Sequence, residues 1–195
     1  MNMKKILAFV LCLVLVAGLS IAGTIAWLQD TTEEIKNTFT VGNIDIELTE
    51  TFNKDTNNDG TADAWEKKMV PGITLDKNPT VTVTANSEDS YVFVKVTESD
   101  NLDTFIAYTI ADDWTKLEEG VYYREYTLNT ADQEYAVLAN NKVTVKDTVT
   151  QTDMNTLTDA DKYPTLTFKA YAIQKTNGAD GSIFTPAAAW AKVKD

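Results

Sequence analysis

The stretch from Asp55 to Glu66 has the residue types and the spacing of a calcium-binding loop. In loops of the EF-hand type, oxygen ligands stand at positions one, three, five, seven, nine and twelve, and a glycine at position six permits the sharp turn that lets them converge. Gly60 occupies that sixth position. The predicted ligands are Asp55, Asn57, Asp59, Thr61 through its backbone carbonyl, Asp63 and Glu66.

This stretch has a second interpretation, because Asn, Asp and Gly are also the usual residues of a surface turn. Its flanks do not form two obvious helices, and the eighth position is Ala62 instead of a larger aliphatic residue. Since a match at six positions by chance is improbable, we predict a structural calcium ion that braces a loop and has no catalytic role.

Other chemistry has little support in the sequence. The chain has no histidine and one cysteine, Cys12, which excludes Ser-His and Cys-His nucleophiles, the HExxH zinc motif and any internal disulfide. Carboxylate pairs lie in predicted loops, where a solvated surface explains them better than a paired acid and base. These pairs are Asp112 with Asp113, Glu118 with Glu119, and Asp159 with Asp161. We predict that the protein is not an enzyme.

Several aromatic residues allow two interpretations. They could form a carbohydrate-binding platform, but such side chains more often pack in the core or across strands. They are Trp65, Trp114, Trp190, Tyr122, Tyr123 and Tyr126.

The N-terminus has the pattern of a targeting segment. Lys4 and Lys5 precede an uncharged apolar run from Ile6 to Leu28, and acidic residues follow it, an arrangement that places the rest of the chain outside the cell. We predict an N-terminal apolar signal helix over residues 1–26, cut between Ala26 and Trp27, because Thr24 and Ala26 put small residues where a signal peptidase reads. A retained anchor is the alternative, since the run can span about 30 Å of hydrocarbon.

The net charge limits the classes of molecule that we expect this protein to bind. The chain carries 17 basic and 29 acidic residues, and removal of residues 1–26 takes away Lys4 and Lys5, so 15 minus 29 leaves a charge of −14 on the mature chain. Without a basic cluster, binding to nucleic acid or to an anionic membrane surface is disfavoured. We expect membrane contact only through the signal segment, and cations as the natural small partners.

Residues 27–195 are predicted to form one all-β domain. Apolar residues alternate strictly at Ile44, Ile46 and Leu48, as on a half-buried strand. Turn signals such as Asn140-Asn141 separate the later runs. The predicted strands are 80–85, 91–97, 104–110, 121–128, 135–139, 142–145 and 165–173. We expect a two-sheet antiparallel sandwich, jelly-roll-like, with at most short helices: a turn within 155–162, and a brief helix capped by Thr185-Pro186 and running through Trp190.

Parts of this sequence resemble a known family. The segments 23–30 (GTIAWLQD) and 37–48 (NTFTVGNIDIEL) are similar to the N-terminus of TasA/camelysin-like exported proteins of Gram-positive bacteria, and weaker similarities follow at 70–75 and 166–174. In that family a SipW-type signal peptidase cuts just before an aromatic residue, which corresponds here to the bond between Ala26 and Trp27. The resemblance implies a jelly-roll domain, export, and assembly into biofilm-matrix fibres in which the N-terminal strand of one subunit, here Trp27 to Phe39, completes the sheet of the next.

Two functions follow as expectations. The first is a secreted structural protein of the cell surface or extracellular biofilm matrix, which self-associates into fibres or joins other matrix proteins by strand exchange. The alternative is a monomeric calcium-dependent surface binding or adhesion module. We do not expect the metalloprotease activity described for some camelysin relatives, because this chain has no histidine.

Overall fold

The computed structural model describes residues 42–52, 67–177 and 181–194, all of which belong to one compact unit, Val41–Asp195. These residues form ten strands with only short helices between them, so the prediction of an all-β fold is confirmed. The strands are β1 Ile46–Thr49, β2 Thr74–Asp76, β3 Thr80–Val83, β4 Ser90–Glu98, β5 Ile106–Ile110, β6 Thr115–Glu118, β7 Val121–Tyr126, β8 Gln133–Ala136, β9 Leu138–Val145 and β10 Leu166–Gln174. The helices are α1 Leu102–Phe105, α2 Gln151–Met154, a 3-10 turn Ala160–Lys162 and α3 Pro186–Val193. The predicted signal segment, residues 1–26, lies outside the described residues.

The strands pair into three antiparallel sheets. The first sheet has the order β1-β3-β8, the second β10-β4-β7-β6 and the third β2-β9-β5. In the second sheet β10 pairs with β4 over its full length, from Leu166 opposite Glu98 to Gln174 opposite Ser90. The strands adjacent along the chain are therefore often not the strands that pair.

The largest apolar cluster lies between the first and second sheets. Val81 and Val83 of β3 and Val92, Val94 and Val96 of β4 are buried there. Because strand side chains alternate between faces, every second residue of each strand reaches this cluster. Burying one valine of this kind contributes about 1.5 to 3 kcal/mol, so this cluster supplies much of the stability of the unit.

The opposite face of the second sheet is covered by α3. Ala189 and Trp190 of the helix are buried against Tyr91, Phe93 and Tyr171. The helix begins as predicted, with Thr185 as the N-cap, whose side chain accepts a hydrogen bond from the backbone N–H of Ala188 at 3.3 Å, and with Pro186 in the first turn. It continues one turn beyond the predicted end, to Val193.

The chain passes from the first sheet to the third sheet at Val137, between β8 and β9. The backbone N–H of Val137 donates to the carbonyl of Pro79 at 2.9 Å, and its own carbonyl accepts from the N–H of Ala111 at 3.0 Å. Val137 is 1% exposed. This buried, doubly bonded residue joins the two sheets at one corner.

The strand predictions need three corrections. The expected turn at Asn140 and Asn141 is instead an irregularity inside β9, where both residues have φ of 56°. Asparagine tolerates this left-handed conformation, so the chain kinks and continues without reversing. Residues 104 and 105 belong to α1 instead of β5. The short strands β2 and β6 were not predicted, because three or four residues are too few to show an alternation.

Candidate functional site

The predicted calcium ligands, Asp55, Asn57, Asp59, Thr61, Asp63 and Glu66, lie outside the described residues, as do the predicted cleavage position Ala26-Trp27 and the segment from Trp27 to Phe39. The structure does describe both chain segments that border residues 53–66. The contacts of these two segments show which parts of the fold hold the residues on either side of 53–66.

The upstream border is fastened to the connection between β2 and β3. Lys77 Nζ donates to Glu50 Oε1 at 2.8 Å and to Oε2 at 3.1 Å, and both side chains are only about one-tenth exposed, at 9% and 11%. Next to this ion pair, the backbone N–H of Thr51 donates to Asn78 Oδ1 at 3.0 Å, and Asn78 Nδ2 returns a bond to Thr51 Oγ1 at 3.0 Å. Removing one member of a pair this deeply placed leaves an uncompensated charge, which is costly. The end of β1 is thus held in position.

The downstream border is fastened to the third sheet. Met69 packs on the cluster that contains Phe105 and Val145. After it, a turn over Val70 to Ile73 is closed by a 3.0 Å hydrogen bond from the N–H of Ile73 to the carbonyl of Val70, and Gly72 supplies the positive φ of 81° that the turn requires. Residues 53–66 therefore start and end at two anchored points.

Beside these points lies a groove with a volume of about 1490 Å³. One side is formed by β1 and the residues after it, including Leu48 and Phe52, and the other by Leu166 and Phe168 of β10. Lys67 and Lys68 line it as well. The groove is mainly apolar inside, and Phe52 is 41% exposed there.

The groove runs between two sheet edges. β1 is the outer strand of the first sheet and β10 the outer strand of the second; they lie side by side, and they are not hydrogen-bonded to each other. Within the described residues no strand pairs with the outer edge of either. An outer strand is the place at which another strand can join a sheet.

The edge strands differ greatly in length. β10 has nine residues, whereas the other outer strands have between three and five: β1, β2, β5, β6 and β8. β5 and β6 also carry irregularities in their pairing. Shortness and bulges are how soluble proteins protect sheet edges. β10 pairs with β4 without an irregularity and carries one charged residue, Lys169, so it is the longest regular strand among the six outer ones.

Three of the acidic side chains singled out in the sequence form surface ion pairs, and a fourth accepts a hydrogen bond from an indole. Asp113 contacts Arg124, and Lys116 donates to Glu119 at 2.7 Å. Glu118 accepts a 2.7 Å hydrogen bond from Trp190 Nε1. Asp159 lies 3.4 Å from Lys162. None of these contacts places one carboxylate beside the other as an acid and base.

The aromatic residues within the described ranges mostly serve packing. Trp114, Trp190 and Tyr126 are buried, with exposed fractions of 6%, 3% and 1%, and Tyr122 and Tyr123 are half-buried against the two core clusters. Trp65 lies outside the described residues. The packing interpretation of the described aromatics is therefore confirmed.

A second cleft, of about 690 Å³, lies along β5, and no local sequence pattern indicates it. In it the hydroxyl of Tyr108 donates to Glu98. Burial and then this carboxylate raise the pKa of Tyr108 well above its ordinary value, because both oppose a phenolate charge. Beside the cleft, the Arg124 guanidinium lies 3.4 Å from the ring centre of Tyr135. Such long-range pairs have no signature in local sequence.

Two further observations concern the described residues alone. No group of three or more acidic or cysteine side chains in residues 42–52, 67–177 and 181–194 is arranged to hold a metal ion. In the same ranges, every helix is too short or too polar to cross a membrane.

Comparisons with protein-family models, with curated proteins and with solved structures found no match to this chain.

Proposed function

We propose that this protein is an exported, non-enzymatic structural component of the cell surface or biofilm matrix, and that its subunits join by strand exchange. The observation that carries the proposal is that β10, nine residues long, is an outer strand among the described residues and is bordered by an apolar groove. A donated strand would pair with this edge and place its apolar side chains in the groove.

We further propose that the first and second sheets form a jelly-roll-like sandwich. Support comes from the apolar cluster that they share, in which β3 and β4 face each other. A strand added beside β10 would then extend the second sheet along one side of this sandwich. Antiparallel or parallel backbone pairing would hold the added strand in place.

The proposed donor is the segment from Trp27 to Phe39 of a neighbouring subunit. Cleavage between Ala26 and Trp27 would free this segment, which precedes β1 in the chain and has no cysteine or proline that would restrict pairing. The resemblance of residues 23–30 and 37–48 to TasA/camelysin-like proteins, which implies exchange of the N-terminal strand, supports the same assignment. Export through a SipW-type peptidase is part of the proposal.

The test begins with the protein exported from a Gram-positive host. N-terminal sequencing and mass measurement should give Trp27 as the first residue, and the purified protein should form fibres that sediment and are visible by electron microscopy. A variant that lacks residues 28–39 but keeps the cleavage position should stay monomeric with an unchanged circular dichroism spectrum. A variant with residues 28–39 in shuffled order is the length-matched control. Fibres of undiminished amount from the deletion variant would contradict strand exchange.

A second candidate is a monomeric calcium-dependent surface binding module. It is favoured by the six ligand types spaced from Asp55 to Glu66 and by the anchored borders on either side, Glu50 with Lys77 and Met69 in its cluster. A bound ion would stabilise the folded state in proportion to its affinity.

Calcium titration of the exported protein tests this candidate. Added calcium should raise the melting temperature of the natural protein, and Asp59→Ala should remove the shift. Asp100→Ala, a surface carboxylate change outside the loop, is the control and should keep it. An unchanged melting temperature in the natural protein at millimolar calcium would refute the metal site, while a calcium-stabilised protein that never polymerises would favour this function over the first.

A further inference from the structure

The groove between β1 and β10 gathers positive charge on a strongly acidic protein. The chain has a formal charge of −12, yet Lys67 and Lys68 are exposed beside the groove and Lys77 lies within it. Lys77 is already paired with Glu50. Lys67 and Lys68 form no ion pair with any residue in the described ranges; Lys142 lowers the pKa of the Asp76 carboxyl, and Lys67 adds a smaller effect in the same direction.

Position in the groove distinguishes Lys67 and Lys68 from the other lysines. Five lysines elsewhere form ion pairs with neighbouring carboxylates: Lys116, Lys142, Lys146, Lys162 and Lys175. Lys67 and Lys68 line the groove, where an acidic strand that entered it would meet them.

The proposed donor segment has the complementary charge. Residues 27–39 contain three acids, Asp30, Glu33 and Glu34, against one base, Lys36. In an extended strand Ile35 and Phe39 would share one face with Glu33, while Asp30 and Glu34 would lie on the other. At about 3.3 Å per residue, thirteen residues reach about 43 Å, which exceeds the roughly 30 Å of a nine-residue strand. The segment can therefore fill the groove and still bring its acidic part to the rim.

We infer, on the basis of the proposed function, that Lys67 and Lys68 recognise the acidic residues of the donor strand from a second copy of this chain and select its register. The apolar groove alone does not fix register, because shifting a strand by two residues keeps the same face inward. Charges at a rim mainly change the rate of association and the discrimination between partners. Lys77 has a different role, since its ion pair with Glu50 holds the end of β1.

Charge reversal tests this inference in the full exported protein. Lys67→Glu with Lys68→Glu should slow fibre growth at least about tenfold at low salt, and the difference should shrink at high salt because mobile ions screen the interaction. The control is Lys95→Glu with Lys194→Glu, which makes the same change of net charge at two exposed lysines away from the groove. The control should grow at nearly the natural rate. Unchanged melting temperatures would show that all variants fold.

Reciprocal reversal supplies the decisive step. Glu33→Lys with Glu34→Lys should slow growth in the natural background and restore it in the Lys67→Glu, Lys68→Glu background. Equal slowing of the groove and control variants, or no rescue, would overturn the inference. If neither reversal slows growth while deletion of residues 28–39 abolishes fibres, strand exchange stands and recognition by these lysines is refuted. If the deletion leaves fibres intact, the proposed function fails and the inference fails with it.

Discussion

Trp190 is predicted to be the main residue that fastens the C-terminal helix to the second sheet. Its side chain is 3% exposed, with ring centroids 5.3 Å from Phe93 and 5.1 Å from Tyr171. Truncating a buried tryptophan to alanine typically costs about 3 to 5 kcal/mol. For a chain of this size that loss lowers the melting temperature by roughly 6 to 20 °C. The change to test is therefore Trp190→Ala, measured by urea denaturation and calorimetry on the exported protein.

Packing and hydrogen bonding contribute unequally at Trp190, and a second variant separates them. The indole N–H donates to Glu118 at 2.7 Å, but Glu118 is exposed, so water can replace this bond. Trp190→Phe keeps most of the ring contact and should cost only about 1 kcal/mol. Ala191→Ser, at an exposed position of the same helix, is the control and should cost about 0.5 kcal/mol.

The loss of unfolding free energy in Trp190→Ala has an upper limit that can be measured. Trp190→Ala cannot cost more than complete loss of helix docking, which a chain ending at Thr185 measures directly. If Trp190→Ala destabilises no more than Ala191→Ser, the packing of α3 described above is wrong. If Trp190→Phe costs as much as Trp190→Ala, the hydrogen bond to Glu118 dominates and the reasoning from buried area fails.

Three further predictions concern single positions. Gly120 has φ of 68°, and a Cβ there would lie 2.7 Å from a backbone oxygen, whereas Gly181 has φ of 70° with nothing within 4 Å of its Cβ. Measured by urea denaturation, Gly120→Ala should therefore lower the free energy of unfolding by about 2 to 5 kcal/mol and Gly181→Ala by about 1 to 2 kcal/mol. Equal losses would contradict the clash. Arg124→Lys loses the planar contact with the Tyr135 ring and should cost about 1 to 2 kcal/mol, so an unchanged unfolding midpoint would contradict that contact. Side-chain and backbone hydrogen bonds from Thr150 lower the pKa of Asp153 below its ordinary 3.8. The Asp153 carboxylate should therefore stabilise the fold above pH 3.8, and this contribution should disappear as the pH falls through the lower pKa of the folded state. Asp153→Asn should be less stable than the natural protein near pH 6 and equal to it in strong acid.

How well the sequence predicted the fold depended on whether the signal was local. The β-branched and aromatic residues of a run such as 91–97 predicted β4 almost to the residue, and Thr185-Pro186 predicted the start of α3, because strand propensity and helix caps depend on neighbouring residues. The prediction of a turn at Asn140-Asn141 was wrong because it also rested on neighbouring residues alone. Both residues adopt the conformation typical of a turn, but pairing of β9 with β2 and β5 carries the strand through it.

The sequence by itself determined the all-β class, the exclusion of histidine- and cysteine-based chemistry, and the expectation of calcium ligands from Asp55 to Glu66, since composition and short-range spacing carry that information. The tertiary structure alone decided which strands form edges. β1 and β10 are separated by more than 110 residues, and no local pattern indicates that they lie side by side without hydrogen bonds between them. The groove and the lysines that line it exist because strand pairing is non-local. The packing of the whole sheet determines which strands pair with each other and which strands become the outer ones.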